Sequence, residues 1–223
     1  MAMSGLLALV GGAEWTTGCD FDAGLVEASG ADEVVVLPTA AAYEHPDRVA
    51  ATAASWFEAL GVKTRPVMAV DRRGAHDEAH VATVRAARFV YLSGGSPMHL
   101  RSVLVRSPLW DALVDAWNGG AVLAGSGEGA GVLCDPQVDT RGGAFTLGLG
   151  LVSPMAVVPR LDTWTEEKLH RTLQLSPPGV PVVGIEQRTV VLRDPDGTWR
   201  SEGVGDVTVW LDGEEATLAA LPS

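Results

Sequence analysis

The chain has 223 residues, of which 47% are hydrophobic and 20% charged. That excludes a disordered polymer and gives enough length to bury one large core. A formal net charge of −12 opposes nucleic acid and anionic membranes, so neither is an expected partner. Residues 1–5 carry no basic stretch and residues 6–10 are too short for a signal peptide or a membrane span, so a cytoplasmic protein is expected. Cys19 and Cys134 lack metal-binding spacing and read as reduced thiols.

In chain order, residues 6–10 (Leu-Leu-Ala-Leu-Val) form a first apolar strand that ends on Gly11 and Gly12. Residues 20–28 read as a short helix with Phe21, Leu25 and Ala28 on one face, and residues 33–37 as a second strand closed by Pro38. Residues 46–60 form an amphipathic helix in which Val49, Ala53, Trp56, Phe57 and Leu60 share a face, stopped by Gly61. Residues 63–70 would be a third strand, and Pro66 within it places it near a sheet edge. A helix over 77–87 precedes a fourth strand over 89–92, which ends in Ser93-Gly94-Gly95-Ser96-Pro97. Two helices follow, over 98–105 and 109–117, and then a fifth strand over 121–124.

Apolar strands alternating with helices indicate a parallel sheet covered on both faces. Ligands bind beyond the carboxyl ends of such strands. The turns at Gly11-Gly12, Thr39-Ala40, Gly94-Gly95 and 125–129 lie at those ends and are expected to meet at one cleft. Beyond Cys134 the pattern changes. It gives a strand over 151–158, a helix over 165–175, and strands over 180–185, 189–193, 198–203 and 207–211, with a hairpin turn at 194–197. This tail reads as an antiparallel extension of the sheet. Without linker or repeat, residues 1–223 read as a single domain.

The stretch from Leu123 to Leu133 organises the rest. An apolar strand runs into Gly125-Ser126-Gly127-Glu128-Gly129 and then into small and aliphatic residues. This is the strand–turn–helix arrangement on which hydrolases raise a nucleophile, with the reacting residue midway between the two outer glycines. The midpoint here is Gly127, which has no side chain.

Together with Tyr91-Leu92-Ser93-Gly94-Gly95-Ser96-Pro97, the stretch 123–130 resembles peptidase family S51, the cyanophycinases and dipeptidase E-like aspartyl peptidases. The family's elbow commonly reads Ala-Gly-Thr-Ser-Ala-Gly-Ala and aligns here without a gap. Residues 158–162 (Val-Pro-Arg-Leu-Asp) and 184–189 (Gly-Ile-Glu-Gln-Arg-Thr) are similar to family segments reading Pro-His-x-x-Asp and Gly-x-Asp-Glu-x-Thr. The resemblance covers most of the chain. It implies a three-layer α/β domain of the class I glutamine amidotransferase-like kind, with a mainly parallel sheet and an antiparallel C-terminal extension. It also implies serine hydrolase chemistry on aspartyl dipeptides or β-aspartyl-arginine polymers, without a cofactor.

In that alignment the family's serine falls on Gly127 and its histidine on Arg160. The third polar position is open among Asp135, Asp139 and Asp162. Serine attack needs a hydroxyl, a base and an orienting group. What remains is an oxyanion hole from the amides of Gly94, Gly95 and the elbow. The chain is therefore expected to be a degenerate member whose cleft still binds a small carboxylate or short peptide; a homodimer is allowed.

Ser126 as a shifted nucleophile would be flanked by Ala124 and Glu128, which breaks the glycine sterics, so its hydroxyl is assigned to the turn backbone. Glu128 is a helix-start charge facing solvent, an acid/base in repurposed non-covalent chemistry, or a ligand-binding group. Arg160 binds a ligand carboxylate or pairs with Glu128. Asp162 alternatively caps the helix over 164–175. Trp15 and Trp164 are placed beside the cleft. His76 and His80, at i and i+4, have no third ligand and read as a polar face, so no metal is expected.

Overall fold

A computed structural model describes residues 4–223. A seven-stranded sheet forms its centre, its strands beginning, in spatial order, at Trp199, Thr189, Leu7, Val122, Phe89, Glu33 and Lys63. Five strands are parallel: β1 (Leu7–Val10), β2 (Glu33–Leu37), β3 (Lys63–Pro66), β4 (Phe89–Leu92) and β5 (Val122–Ser126). β10 (Thr189–Arg193) and β11 (Trp199–Gly203) continue the sheet antiparallel beyond β1. β3 lies at the opposite edge and stops at Pro66, where the missing N–H breaks no internal ladder.

The helices are α1 (Phe21–Ser29), α2 (Pro46–Ala59), α3 (Glu78–Ala86), α4 (Pro97–Leu104), α5 (Pro108–Asn118), α6 (Glu128–Leu133) and α7 (Glu166–Gln174). Two apolar layers lie on the central sheet. One packs Phe57 edge to face against Trp15, Phe89 and Tyr91, with the tilted Trp15 and Tyr91 rings 5.0 Å apart between centroids. The other gathers Leu9, Leu37, Leu92, Leu104, Leu113 and Leu123. No helix among the described residues is long and apolar enough to cross a membrane.

The tail divides where one extension was expected. Only β10 and β11 join the main sheet. β8 (Ala156–Pro159), β9 (Val182–Ile185), β12 (Val207–Leu211) and β13 (Glu214–Ala216) form a second sheet in the order β13-β12-β9-β8, within which β8 and β9 are parallel. β6 (Gln137–Val138) and β7 (Phe145–Thr146) form a small ribbon. The expected strand over 151–158 begins only at Ala156, with Val152 making a single bridge to Cys134.

Local departures have simple causes. Asp77 stops the expected two-histidine face by capping α3, its side chain accepting from the amides of Ala79 and His80. His76 therefore lies before the helix, while His80 Nδ1 sits 3.0 Å from the Gly74 carbonyl. On α1 the buried face is Phe21, Asp22, Leu25 and Ser29, with Ala28 exposed. β5 runs two residues past its expected end, through Ser126.

Candidate functional site

The β5–α6 turn is built for one sharp reversal. Gly127 has φ 54° and ψ −119°, a conformation that costs a side-chain-bearing residue strain and that nucleophile-bearing elbows adopt. Gly125 and Gly129 allow the close approach: a Cβ on Gly125 would stand 2.8 Å from the Gly129 carbonyl oxygen, and one on Gly129 would stand 2.9 Å from that of Leu92. A Cβ on Gly127 would meet nothing nearer than Gly94 Cα at 3.8 Å and Arg160 Nη1 at 3.9 Å. The elbow therefore has room for a side chain and carries none.

The other turns converge as expected. Gly95 packs on the Ala40 backbone so tightly that a Cβ would fall 2.4 Å from its oxygen. The β1 turn reaches both the elbow and the second sheet. Gly127 N–H donates to Val10, Arg160 N–H to Gly11, and Arg188 N–H to Gly12. Arg160, at φ 52° just after β8, lays its aliphatic stem over Gly12, where a Cβ would stand 2.9 Å from Arg160 Cγ.

Glu128 is 5% exposed. Its solvent-facing alternative is thus overturned, because the turn directs it inward beside Arg160. Arg160 Nη2 donates to Glu128 Oε1, and the Thr140 hydroxyl donates to the same oxygen at 3.4 Å. Glu128 Oε2 is buried and has no partner among the described residues. The mutual pairing weighed for these residues is therefore formed, leaving Arg160 about a third exposed at 37%.

Glu14 is the functional-site residue that the sequence reading missed. Gly94 N–H donates to Glu14 Oε1 at 2.9 Å, and the Ser126 hydroxyl donates to Glu14 Oε2 at 2.8 Å. The amide expected to form an oxyanion hole is thus occupied by a carboxylate of the same chain. Ser126 is fully buried and bonds this side chain instead of the turn backbone. The cause lies one residue on. Trp15, expected at the cleft, is instead buried against Phe57 and Tyr91. With Ala13 and Trp15 both left-handed (φ 54° and 57°), the turn drives the indole into the core and Glu14 toward the elbow. An acidic residue two positions past the glycine pair that ends β1 was the available signal.

A cleft of about 450 Å³ opens beside the elbow, lined by Gly95, Glu128, Thr140, Arg160, Trp164 and Lys168, with Glu44 and Arg141 also on its wall. Trp164 is where it was expected. Lys168 Nζ lies 3.7 Å from the Trp164 ring centroid and donates to the Thr140 carbonyl. Burial and then the nearby Arg160 charge hold the Lys168 ammonium below its usual range. Three cations thus face two carboxylates on the cleft wall, against an overall charge of −12.

The candidates for a third polar position serve the backbone. Asp162 accepts from the Gln187 N–H, Asp135 from the Gly148 N–H, and Asp139 from Arg141, whose hydrogen bond draws the Asp139 carboxyl below its usual range. The cap of α7 is Thr165, not Asp162. Behind the elbow, Asp22 Oδ2 accepts from Trp56 Nε1 at 2.9 Å, and burial, with Glu14 adding repulsion, raises its carboxyl to about 7.

Residues 9–198 match the model of peptidase family S51. The cyanophycinases of Synechococcus elongatus and Thermosynechococcus vestitus are each 27% identical over 227 aligned positions, covering 92% of this chain and 67% of theirs. The crystal structure of a peptidase from an acI-B1 Actinobacterium superposes with a TM-score of 0.86 at 26% identity, covering 96% of this chain and 94% of that one. A protein described as peptidase E from Listeria monocytogenes EGD-e gives a TM-score of 0.67 at 15% identity over 91% and 100% of the two chains, a likeness of fold alone.

Proposed function

The chain belongs to peptidase family S51, and on that premise we propose that it is a catalytically degenerate member whose cleft binds a small carboxylate or short-peptide ligand. The observation that carries this reading is Gly127: the strained elbow conformation and the space in front of it are kept, while the side chain that would react is missing. Arg160, at the position aligned with the family's histidine, is a permanent cation and so no proton acceptor, which removes the base as well. Its planar donor fork suits a carboxylate, and Lys168 adds charge to the same cleft lining, whereas Arg141 there is paired with Asp139. The cyanophycinase relatives point to aspartyl-containing peptides as ligands to try first. The binding is short-range, because the −12 charge of the chain repels anions at a distance.

A second reading is favoured by one observation. The unpartnered, buried Oε2 of Glu128 suits an acid/base in non-covalent chemistry on a bound ligand, such as residual hydrolysis through water. Against it, Glu128 Oε1 is already engaged by Arg160 Nη2 and the Thr140 hydroxyl, which leaves Oε2 alone to act on a ligand.

Intact-mass measurement after fluorophosphonate treatment is expected to show no adduct; a covalent adduct on Ser126 would overturn the degenerate reading. Calorimetric titration with aspartyl dipeptides is expected to show binding that Arg160→Ala abolishes and Glu128→Ala preserves or strengthens. No binding by any carboxylate ligand, or equal weakening by both substitutions, counts against the binding reading. Turnover of the same dipeptides that disappears in Glu128→Gln would favour the second.

A further inference from the structure

We infer that Glu14 is a tethered carboxylate that closes the elbow end of the cleft to anions and so sets the cleft's specificity. A ligand's negative group is directed to the Arg160–Lys168–Arg141 wall, and only neutral or cationic groups are admitted near Gly94. The inference rests on the ligand-binding reading above.

Glu14 makes two hydrogen bonds, and both donors belong to the elbow region. The Gly94 amide lies 2.9 Å from Oε1 and the Ser126 hydroxyl 2.8 Å from Oε2. A backbone N–H at this place is what a developing or bound anion would use. Here it is already saturated by a full negative charge, so a ligand anion would have to displace a bonded carboxylate or lie against it. Displacement is opposed by the turn: Trp15, buried beside Tyr91, anchors the backbone next to Glu14.

Glu128 adds to the effect. Its Oε2 lies 3.7 Å from where a Cβ on Gly94 would stand, and Glu14 Oε1 lies 3.4 Å from the same point. Two carboxylates therefore flank Gly94, and Arg160 compensates one of them. The charge of Glu14 remains and makes this end repel anions, whereas the cleft lining holds Lys168 and an Arg141 that is itself paired with Asp139.

The test compares two probes of one shape, succinate and its half-amide succinamate, titrated into wild type, Glu14→Gln and Glu14→Ala. Like charges brought together repel, so wild type is expected to prefer succinamate by about tenfold or more. Glu14→Ala, which frees the Gly94 amide, is expected to erase or reverse the preference. Glu14→Gln, which keeps an acceptor for Gly94 but removes the charge, is expected to reduce it. This variant carries the test if the alanine protein fails to fold. A merely structural role for Glu14 would weaken both probes together and leave their ratio unchanged, and that result overturns the inference while leaving the binding reading intact. Failure of both probes to bind any of the three proteins overturns both. Binding of succinate by Glu14→Ala alone would overturn the binding reading for the natural chain and support the role of Glu14.

Discussion

Placing a serine at residue 127 is the most direct probe of the elbow. Two costs must be separated. The conformation of Gly127, φ 54° and ψ −119°, is unfavourable for any residue with a Cβ and is worth roughly 1–3 kcal/mol. The steric cost is negligible, because the nearest atoms to the new Cβ lie 3.8 and 3.9 Å away, which is ordinary contact. Gly95→Ala is the control in which both costs apply. Its φ is 140° and its Cβ would fall 2.4 Å from the Ala40 oxygen, adding an overpacking term of roughly 1–3 kcal/mol. Chemical denaturation should therefore show Gly127→Ser folded with a modest loss and Gly95→Ala losing about twice as much. In thermal melts each kcal/mol corresponds to roughly 2–4 °C for a domain of this size. Equal losses for the two substitutions, or no loss for Gly127→Ser, would refute the account of an elbow that is strained but open.

Two further outcomes follow from the buried charges. Arg160→Met is expected to cost about 2 kcal/mol by leaving Glu128 buried and uncompensated, below the range for fully buried pairs because Arg160 is partly exposed. Adding Glu128→Gln should restore most of that loss in urea unfolding, and simple additivity of the two changes would contradict the pairing. Asp22, raised from 3.8 to about 7, keeps in the folded chain a proton that the unfolded chain has released. Its contribution therefore makes stability fall as pH rises between about 4 and 7 and level off above. Asp22→Asn should remove that slope and be the more stable protein at pH 8 by on the order of a few kcal/mol, with little difference at pH 4. Equal destabilisation at both pH values would show that the proton is not held there.

Several strands were readable because each carries a local signature. Residues 33–37, 89–92, 189–193 and 207–211 are strands to the residue, each an apolar run with a turn signal beside it. The family-bearing elbow was readable from its glycines, although only Gly125 is demanded locally, by the Gly129 carbonyl, whereas Gly129 is demanded by the Leu92 carbonyl of the neighbouring strand. Strand partners were not. β9 and β10 are both apolar runs of four or five residues, and nothing in their period tells that one joins β8 and β12 while the other joins β1. The partition depends on the Gly11 and Gly12 carbonyls, which receive the amides of Arg160 and Arg188 and so hold the two sheets at one seam.

Site electrostatics were harder to read than the site's position. The glycine turns located the cleft, but the direction of a side chain in an irregular turn is set by what its neighbours bury. Trp15 was expected beside the cleft; the indole instead fills the aromatic layer with Phe57 and Tyr91, and Glu14 turns to the Gly94 amide and the Ser126 hydroxyl at the elbow. That exchange changes the chemistry. With Trp15 in the cleft, the Gly94 amide would be a free donor and the elbow an anion site awaiting a ligand. With Glu14 there, the donor is satisfied within the chain. The same packing step that completes the core thus removes an anion site, placing the cleft's free positive charge on the α7 side, at Lys168 and the exposed part of Arg160.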